Sequence, residues 1–172
     1  RLRAAGVIVE VLPQDDPLAI AARELNIGFF SRMIRKTPWV RMKIAASMDG
    51  ATALNSGQSQ WITSAEARAD GHAWRARACA VLTGIGTVLA DNPTLNVRLV
   101  VTSRQPHLVV VDSQLDTPLD ASLFIAGRAC YIYAAVENIA KRLALEARGS
   151  TVVYLPGLDA NCQATGKVDL AA

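Results

Sequence analysis

Ala80-Val81-Leu82-Thr83-Gly84-Ile85-Gly86-Thr87-Val88-Leu89 runs from apolar and β-branched residues, through two glycines, into residues that suit a short helix. Such a run, closed by glycine, reads as a buried strand that ends in a turn. The pattern recurs downstream. His107–Val111 (His-Leu-Val-Val-Val), Cys130–Ala134 (Cys-Tyr-Ile-Tyr-Ala) and residues 151–155 read as further strands, with a helix over 136–147 between the last two. Upstream, Ser64 is a good N-cap for a helix to about Arg77, and Glu66 lies early enough to favour the helix dipole. Strands that alternate with helices need crossover connections, and these give a largely parallel sheet covered on both faces. The expected fold is therefore α/β, with a mostly parallel central sheet flanked by helices.

The first forty residues have a different texture. Residues 7–11 (Val-Ile-Val-Glu-Val) are strand-like, and Asp16-Pro17 introduces a helix over 18–25 with Leu18, Ile20, Ala21 and Leu25 on one broad face. Phe29, Phe30 and Met33 extend an apolar patch. Arg32, Arg35 and Lys36 then make a basic stretch, and Pro38 breaks it, so a solvated linker is placed at 34–38. Beyond it, 40–45 (Val-Arg-Met-Lys-Ile-Ala) alternates as a strand should, and Asp49-Gly50 marks a turn. The expected division is residues 1–36 as one piece with its linker and 37–172 as a second domain. The chain opens on Arg1 without an initiator Met, and 168–172 reads as the first turn of a helix with Asp169 near its N-cap. Both ends look like cuts in a longer protein.

Composition bounds the class. The 172 residues are 51% hydrophobic and 19% charged, the balance of a globular protein rather than a disordered tail. Eighteen basic residues stand against fifteen acidic ones, a net charge of +3 that suits a phosphate-bearing ligand as well as nucleic acid. Aromatic residues make up 5%, with no aromatic-basic platform, which argues against a nucleic-acid binder. No apolar run is long enough to span a bilayer as a helix. Cys79, Cys130 and Cys162 are odd in number and widely spaced, which points away from a disulfide framework and towards a reducing cytoplasm.

Chemistry concentrates between Lys43 and Arg98. Gly84-Ile85-Gly86-Thr87 would let backbone approach a ligand and offer helix-start N–H groups to a phosphate, although it lacks the third glycine of a dinucleotide fingerprint and also fits an ordinary turn. Lys43 in an apolar strand is either an edge residue or a functional cation. Arg75 and Arg98 suit a phosphate, or Arg75 is a solvated helix residue. Trp61 reads as core or as a cofactor contact, and Asp91 as a candidate partner of the turn at Asn92-Pro93.

Taken together, Lys43-x-Ala45-x-Ser47-x-Asp49-Gly50, Gly57-x-Ser59-x-Trp61-Ile62-Thr63, Ala67-Arg68-x-Asp70 and Gly84-x-Gly86-Thr87-Val88-x-x-Asp91-x-Pro93-x-Leu95-x-x-Arg98 resemble the reductase domain of bifunctional riboflavin-biosynthesis deaminase/reductases. The likeness is strong over 38–113 and looser to the end. Ala22-Arg23-Glu24-Leu25-Asn26-x-Gly28-Phe29-Phe30-x-Arg32-Met33 is similar to the exit of that family's deaminase domain, which would make residues 1–36 its C-terminal remnant. The resemblance implies a dihydrofolate-reductase-like fold, cut short at its C-terminus. It implies reduction of 5-amino-6-(5-phosphoribosylamino)uracil by NADPH, in a cytoplasmic homodimer or higher oligomer. Carried over position by position, the cofactor side is Ala45, Trp61, Thr87, Asp91 and Ser113. The substrate side is Ser59, Arg75, Leu95 and Arg98. Lys43 and Asp91 are the catalytic candidates for proton management.

Two departures matter. The family's downstream Gly-rich phosphate-binding segment has no counterpart before the chain stops. The zinc deaminase signatures His-x-Glu and Pro-Cys-x-x-Cys are also missing: His72 is followed by Ala73-Trp74, His107 by Leu108-Val109, and no cysteine has a partner at the required spacing. Any zinc would thus belong to a deaminase domain outside these residues. Two alternatives stay open at this point, a pterin- or folate-type reductase and a nucleotide-binding regulatory module without turnover.

Overall fold

The computed structural model describes residues 1–171 and divides into two compact units, Arg1–Ile44 and the chain from Ala45 onward. The first unit is helical. A single 3-10 turn at Arg3–Ala5 precedes α1 (Pro17–Leu25), α2 (Ile27–Phe30) and a wider π-type turn at Ser31–Arg35. Asp16 caps α1, accepting from the Leu18 N–H at 2.8 Å, and Pro17 fills the first helical position, where a missing N–H costs nothing. The linker placed at 34–38 thus begins while the chain is still helical.

The strands expected at 7–11 and 40–45 do not form. Alternation marks a face, but a strand also needs a neighbouring backbone for its N–H and C=O groups. Neither segment is paired with another strand among the described residues, and Val40, Met42 and Ile44 are left exposed.

The second unit opens with a Ser47–Gly50 turn, in which Gly50 at φ +84° donates to the Ser47 carbonyl. It continues through α3 (Ala65–Arg77), β1 (Ala80–Gly84), α4 (Ile85–Asp91), β2 (His107–Val111), β3 (Cys130–Ala134), α5 (Ile139–Glu146) and β4 (Ser150–Tyr154), and ends in a small hairpin of β5 (Pro156–Leu158) and β6 (Ala164–Val168). β1 to β4 lie in chain order in one sheet, every pair parallel. β5 and β6 form a separate antiparallel pair. The helix turn expected at 168–172 is absent: β6 occupies its start, and Asp169 accepts from the Ala171 N–H beyond it, with Ala172 outside the described residues.

The register explains the core. Leu108, Val110, Cys130, Ile132 and Ala134 share one sheet face and are buried against Val88 of α4 and Leu145 of α5, with Leu115 and Leu123 from the connection between β2 and β3. At roughly 25 cal/mol per Å² of apolar surface, this cluster dominates the unit's stability. The opposite face is covered less completely: Val109, Val111, Tyr131 and Tyr133 are half-buried and Leu82 is 63% exposed. α5 starts later than the sequence suggests because Asn138 caps it, accepting from Lys141 N–H at 3.0 Å.

Candidate active site

α3 supplies the most organised part of the site. Ser64 caps it through the Ala67 N–H at 3.2 Å, and Glu66 sits in the first turn. His72 and Arg75, three residues apart, share the helix side that meets the loop after α4. There Arg75 donates to the Asn96 carbonyl at 2.8 Å, and the His72 Nδ1 accepts from the Arg98 N–H at 3.2 Å. Between them Gln105 grips both backbone groups of Val97, accepting from its N–H at 2.7 Å and donating to its carbonyl at 3.0 Å. Three successive residues, Asn96, Val97 and Arg98, are thus each fixed by a different side chain. Leu95 is held just before them at φ +50°, a conformation that costs a non-glycine residue of order 1 kcal/mol.

The electrostatics of this loop are one-sided. Burial, then Arg98 and Arg128, lowers the Arg75 pKa from its ordinary value. Burial, then Arg75 and Arg98, lowers that of His72. No ion pair joins either arginine to a carboxylate among the described residues. A pinned loop carrying Arg98, faced by Arg75 of α3 and without an acid, suits a bound anion.

α4 leads directly into this loop. Val88 is buried in the core, while Thr87 and Asp91, one turn apart, share an exposed face. Gly84 is the N-cap of α4 and offers no side-chain cap. A Cβ added at Gly84 or Gly86 would meet nothing within 4 Å, and neither residue has a positive φ. Packing and backbone conformation therefore leave alanine acceptable there. The turn at Asn92-Pro93 is held by Asn92, not by the Asp91 named from sequence: Asn92 adopts φ +40° as the C-cap and accepts from Ser122 N–H at 2.8 Å.

Ser113 follows β2. Its hydroxyl accepts from the Val168 N–H at 3.3 Å, and its carbonyl accepts from Ala135 and Val136. Asp112 beside it is fully buried and accepts from Asp116 N–H at 2.9 Å, Thr117 N–H at 2.8 Å and the Thr117 hydroxyl at 2.6 Å. This carboxylate fixes the chain that leaves the sheet at Ser113.

Trp61 is 67% exposed, with the Arg68 guanidinium 4.4 Å from its ring centroid. Ser59 is exposed two residues before it, and Ala45 is half-buried at the start of the unit. Arg75, Leu95 and Arg98 are brought together, and Thr87 and Asp91 stand on the helix that feeds their loop. Lys43 is exposed in the first unit, Arg1–Ile44. Cys130 is buried in the core, and its thiol pKa is pushed up to about 11, which makes it unreactive. Among the described residues no three His, Cys, Asp or Glu side chains could together hold a metal ion.

Sequence reading missed His72, Gln105 and Asp112. Each acts by gripping backbone some residues away, which leaves no trace in local periodicity.

A family profile described as the RibD C-terminal domain matches residues 38–171. The chain belongs to the RibD C-terminal domain family. It is 36% identical over 159 residues to riboflavin biosynthesis protein RibD of Aquifex aeolicus, covering 92% of this chain and 44% of that protein. It is 41% identical over 126 residues to RibD of Escherichia coli, covering 66% of this chain and 33% of that one. Among solved structures, Acinetobacter baumannii RibD superposes with a TM-score of 0.73 at 33% identity, covering 94% of this chain and 44% of that one. A Thermotoga maritima diaminohydroxyphosphoribosylaminopyrimidine deaminase/5-amino-6-(5-phosphoribosylamino)uracil reductase gives 0.65 at 26% identity, covering 78% and 44%. The expected dihydrofolate-reductase-like class, a mostly parallel sheet with flanking helices, is the class found. The chain spans less than half the length of these RibD proteins.

Proposed function

We propose that this chain is the reductase part of a riboflavin-biosynthesis protein that reduces 5-amino-6-(5-phosphoribosylamino)uracil to its ribitylamino counterpart with NADPH. The observation that carries the reading is the arginine loop. Arg98 lies on a backbone pinned at three successive residues, Arg75 on α3 is one of the side chains that pin it, and neither has an acidic partner among the described residues. A sugar phosphate is the anion that such a site would hold. Leu95 and Ser59 would line the same side.

A reductase of the RibD family works with a nicotinamide cofactor. The residues present fit one. Open space over Gly84 and Gly86, the uncapped start of α4 and the exposed ring of Trp61 are what a dinucleotide needs for close approach and stacking. Ala45, Trp61, Thr87, Asp91 and Ser113 would hold it. When bound, NADPH supplies a hydride for the anomeric carbon of the opened ribose. The protein aligns the two and manages the proton at the ribose ring oxygen, which becomes a hydroxyl when the ring opens. Asp91, exposed on the α4 face it shares with Thr87, is one candidate for that proton. Lys43, retained from the sequence resemblance, is the other. Replacing Lys43 with Met lowers turnover more than it weakens NADPH binding, and equal loss of both in steady-state kinetics argues against the role.

We also infer that residues 1–36 come from a deaminase domain whose zinc lies elsewhere in the protein, with 37–172 forming the reductase domain. A cytoplasmic homodimer or higher oligomer that binds no nucleic acid completes the reading. The test is NADPH consumption by the complete protein supplied with the phosphoribosylaminouracil. Substrate-dependent oxidation, with a product heavier by a hydride and a proton, supports the assignment. NADPH binding without turnover overturns it.

A further inference from the structure

We infer that His72 is a positioning residue for the substrate phosphate, acting through a neutral imidazole that holds the Arg98 backbone where the guanidinium can reach the anion. The inference rests on the reading that Arg75 and Arg98 take that phosphate.

His72 is 5% exposed, in the middle of α3, and its Nδ1 accepts from the Arg98 N–H at 3.2 Å. An accepting Nδ1 belongs to the neutral ring with its proton on Nε2. The charged groups that act on the ring are Arg75, one turn along the same helix, and Arg98, on the loop opposite. Arg128 in turn acts on Arg75. Burial, then the Arg75 and Arg98 cations, hold the imidazole in its neutral, accepting form.

The bond matters because of what it completes. Arg75 fixes Asn96, Gln105 fixes Val97, and His72 fixes Arg98. The Arg98 side chain is exposed, and among the described residues its one hydrogen bond is a 3.5 Å contact with Asn96 Oδ1. Its guanidinium is therefore aimed chiefly by where its backbone is held. Without the imidazole acceptor, the last of the three pins is gone and the buried side of Arg98 has an unpaired N–H. The loop then has to be ordered by the phosphate itself, and that cost falls on substrate binding.

The experiment is steady-state kinetics of the complete protein with His72→Leu, His72→Asn and Arg98→Ala, varying the phosphorylated substrate and NADPH separately. Leu keeps the apolar bulk and removes the acceptor. Asn places Oδ1 where Nδ1 stood, so it can still accept but cannot titrate. His72→Leu is expected to raise KM for the substrate about tenfold, with a much smaller change in kcat and in KM for NADPH. That factor corresponds to about 1.4 kcal/mol. His72→Asn is expected to bring KM back to within about threefold of the parent. Arg98→Ala separates the two readings. If it raises the substrate KM while His72→Leu does not, the phosphate reading stands and the role of His72 is overturned. The role is also overturned if both His72 variants are equally impaired, or if kcat and both KM values fail together, because those results describe a fold defect. If Arg98→Ala leaves the substrate KM unchanged, the phosphate reading fails and the positioning role fails with it.

Discussion

Replacing Gly86 with Ala separates what the fold needs from what a ligand needs. Gly86 lies in the first turn of α4, its φ is not positive, and an added Cβ meets nothing within 4 Å. Glycine in such a position costs stability, because the unfolded chain loses more freedom there than with alanine. Gly86→Ala should therefore stabilise the protein by about 0.5 to 1 kcal/mol, or raise Tm by roughly 1 to 4 °C. Cofactor binding should change the other way. On the proposed reading, a methyl group at the start of α4 would fill space through which a cofactor phosphate oxygen would approach the backbone N–H groups. Losing one charge-assisted hydrogen bond, worth about 1.5 to 3 kcal/mol, weakens binding at least about tenfold. Differential scanning calorimetry and NADPH titration by fluorescence read the two effects on the same sample. A more stable protein that binds NADPH as tightly as the parent would refute the argument that the open space over Gly86 belongs to the cofactor. A less stable protein would refute the reading of the local packing.

Asp112→Ala removes a fully buried acceptor of three hydrogen bonds and leaves the Asp116 and Thr117 N–H groups without it. The expected loss is about 3 to 5 kcal/mol, seen as a lower urea midpoint, and a change below about 1 kcal/mol would contradict the structural role. His72 gives a pH dependence with a definite sign. Its pKa in the folded protein lies below the ordinary 6.5, so the unfolded chain binds more protons near and below that pH. Its contribution to stability is complete above about pH 6.5 and is lost as pH falls towards the lower folded value. Denaturation midpoints of His72→Asn should show a shallower decline over this window than those of the parent, and identical slopes would count against it.

The central strands were legible because their signals are local and redundant. β2 is an apolar run between Pro106 and Asp112-Ser113, β3 is rich in the strand-forming residues Tyr131, Ile132 and Tyr133, and both strands fall where the sequence puts them. The start of α3 was legible through Ser64, whose capping bond is made. Residues 40–45 carry the same kind of alternation and form no strand, because pairing depends on a partner backbone that periodicity does not specify. The β5–β6 hairpin was missed for the opposite reason. Its strands, Pro-Gly-Leu and Ala-Thr-Gly-Lys-Val, show no apolar alternation, and its turn is built by the Asp159 side chain accepting from Asn161 and Gln163. At the candidate site the arginines were legible as residue types. The frame that holds them was not, since the His72 bond to Arg98 spans 26 residues.

The most direct test of the account compares the phosphorylated ribosylaminouracil with its dephosphorylated form as substrates of the complete protein, with NADPH consumption as the readout. The account predicts that removing the phosphate raises KM by about a hundredfold, the value of two arginine contacts at about 1.4 kcal/mol each, and that Arg98→Ala narrows this gap to about tenfold. Equal KM values for the two forms would contradict the assignment of Arg75 and Arg98 to the substrate phosphate.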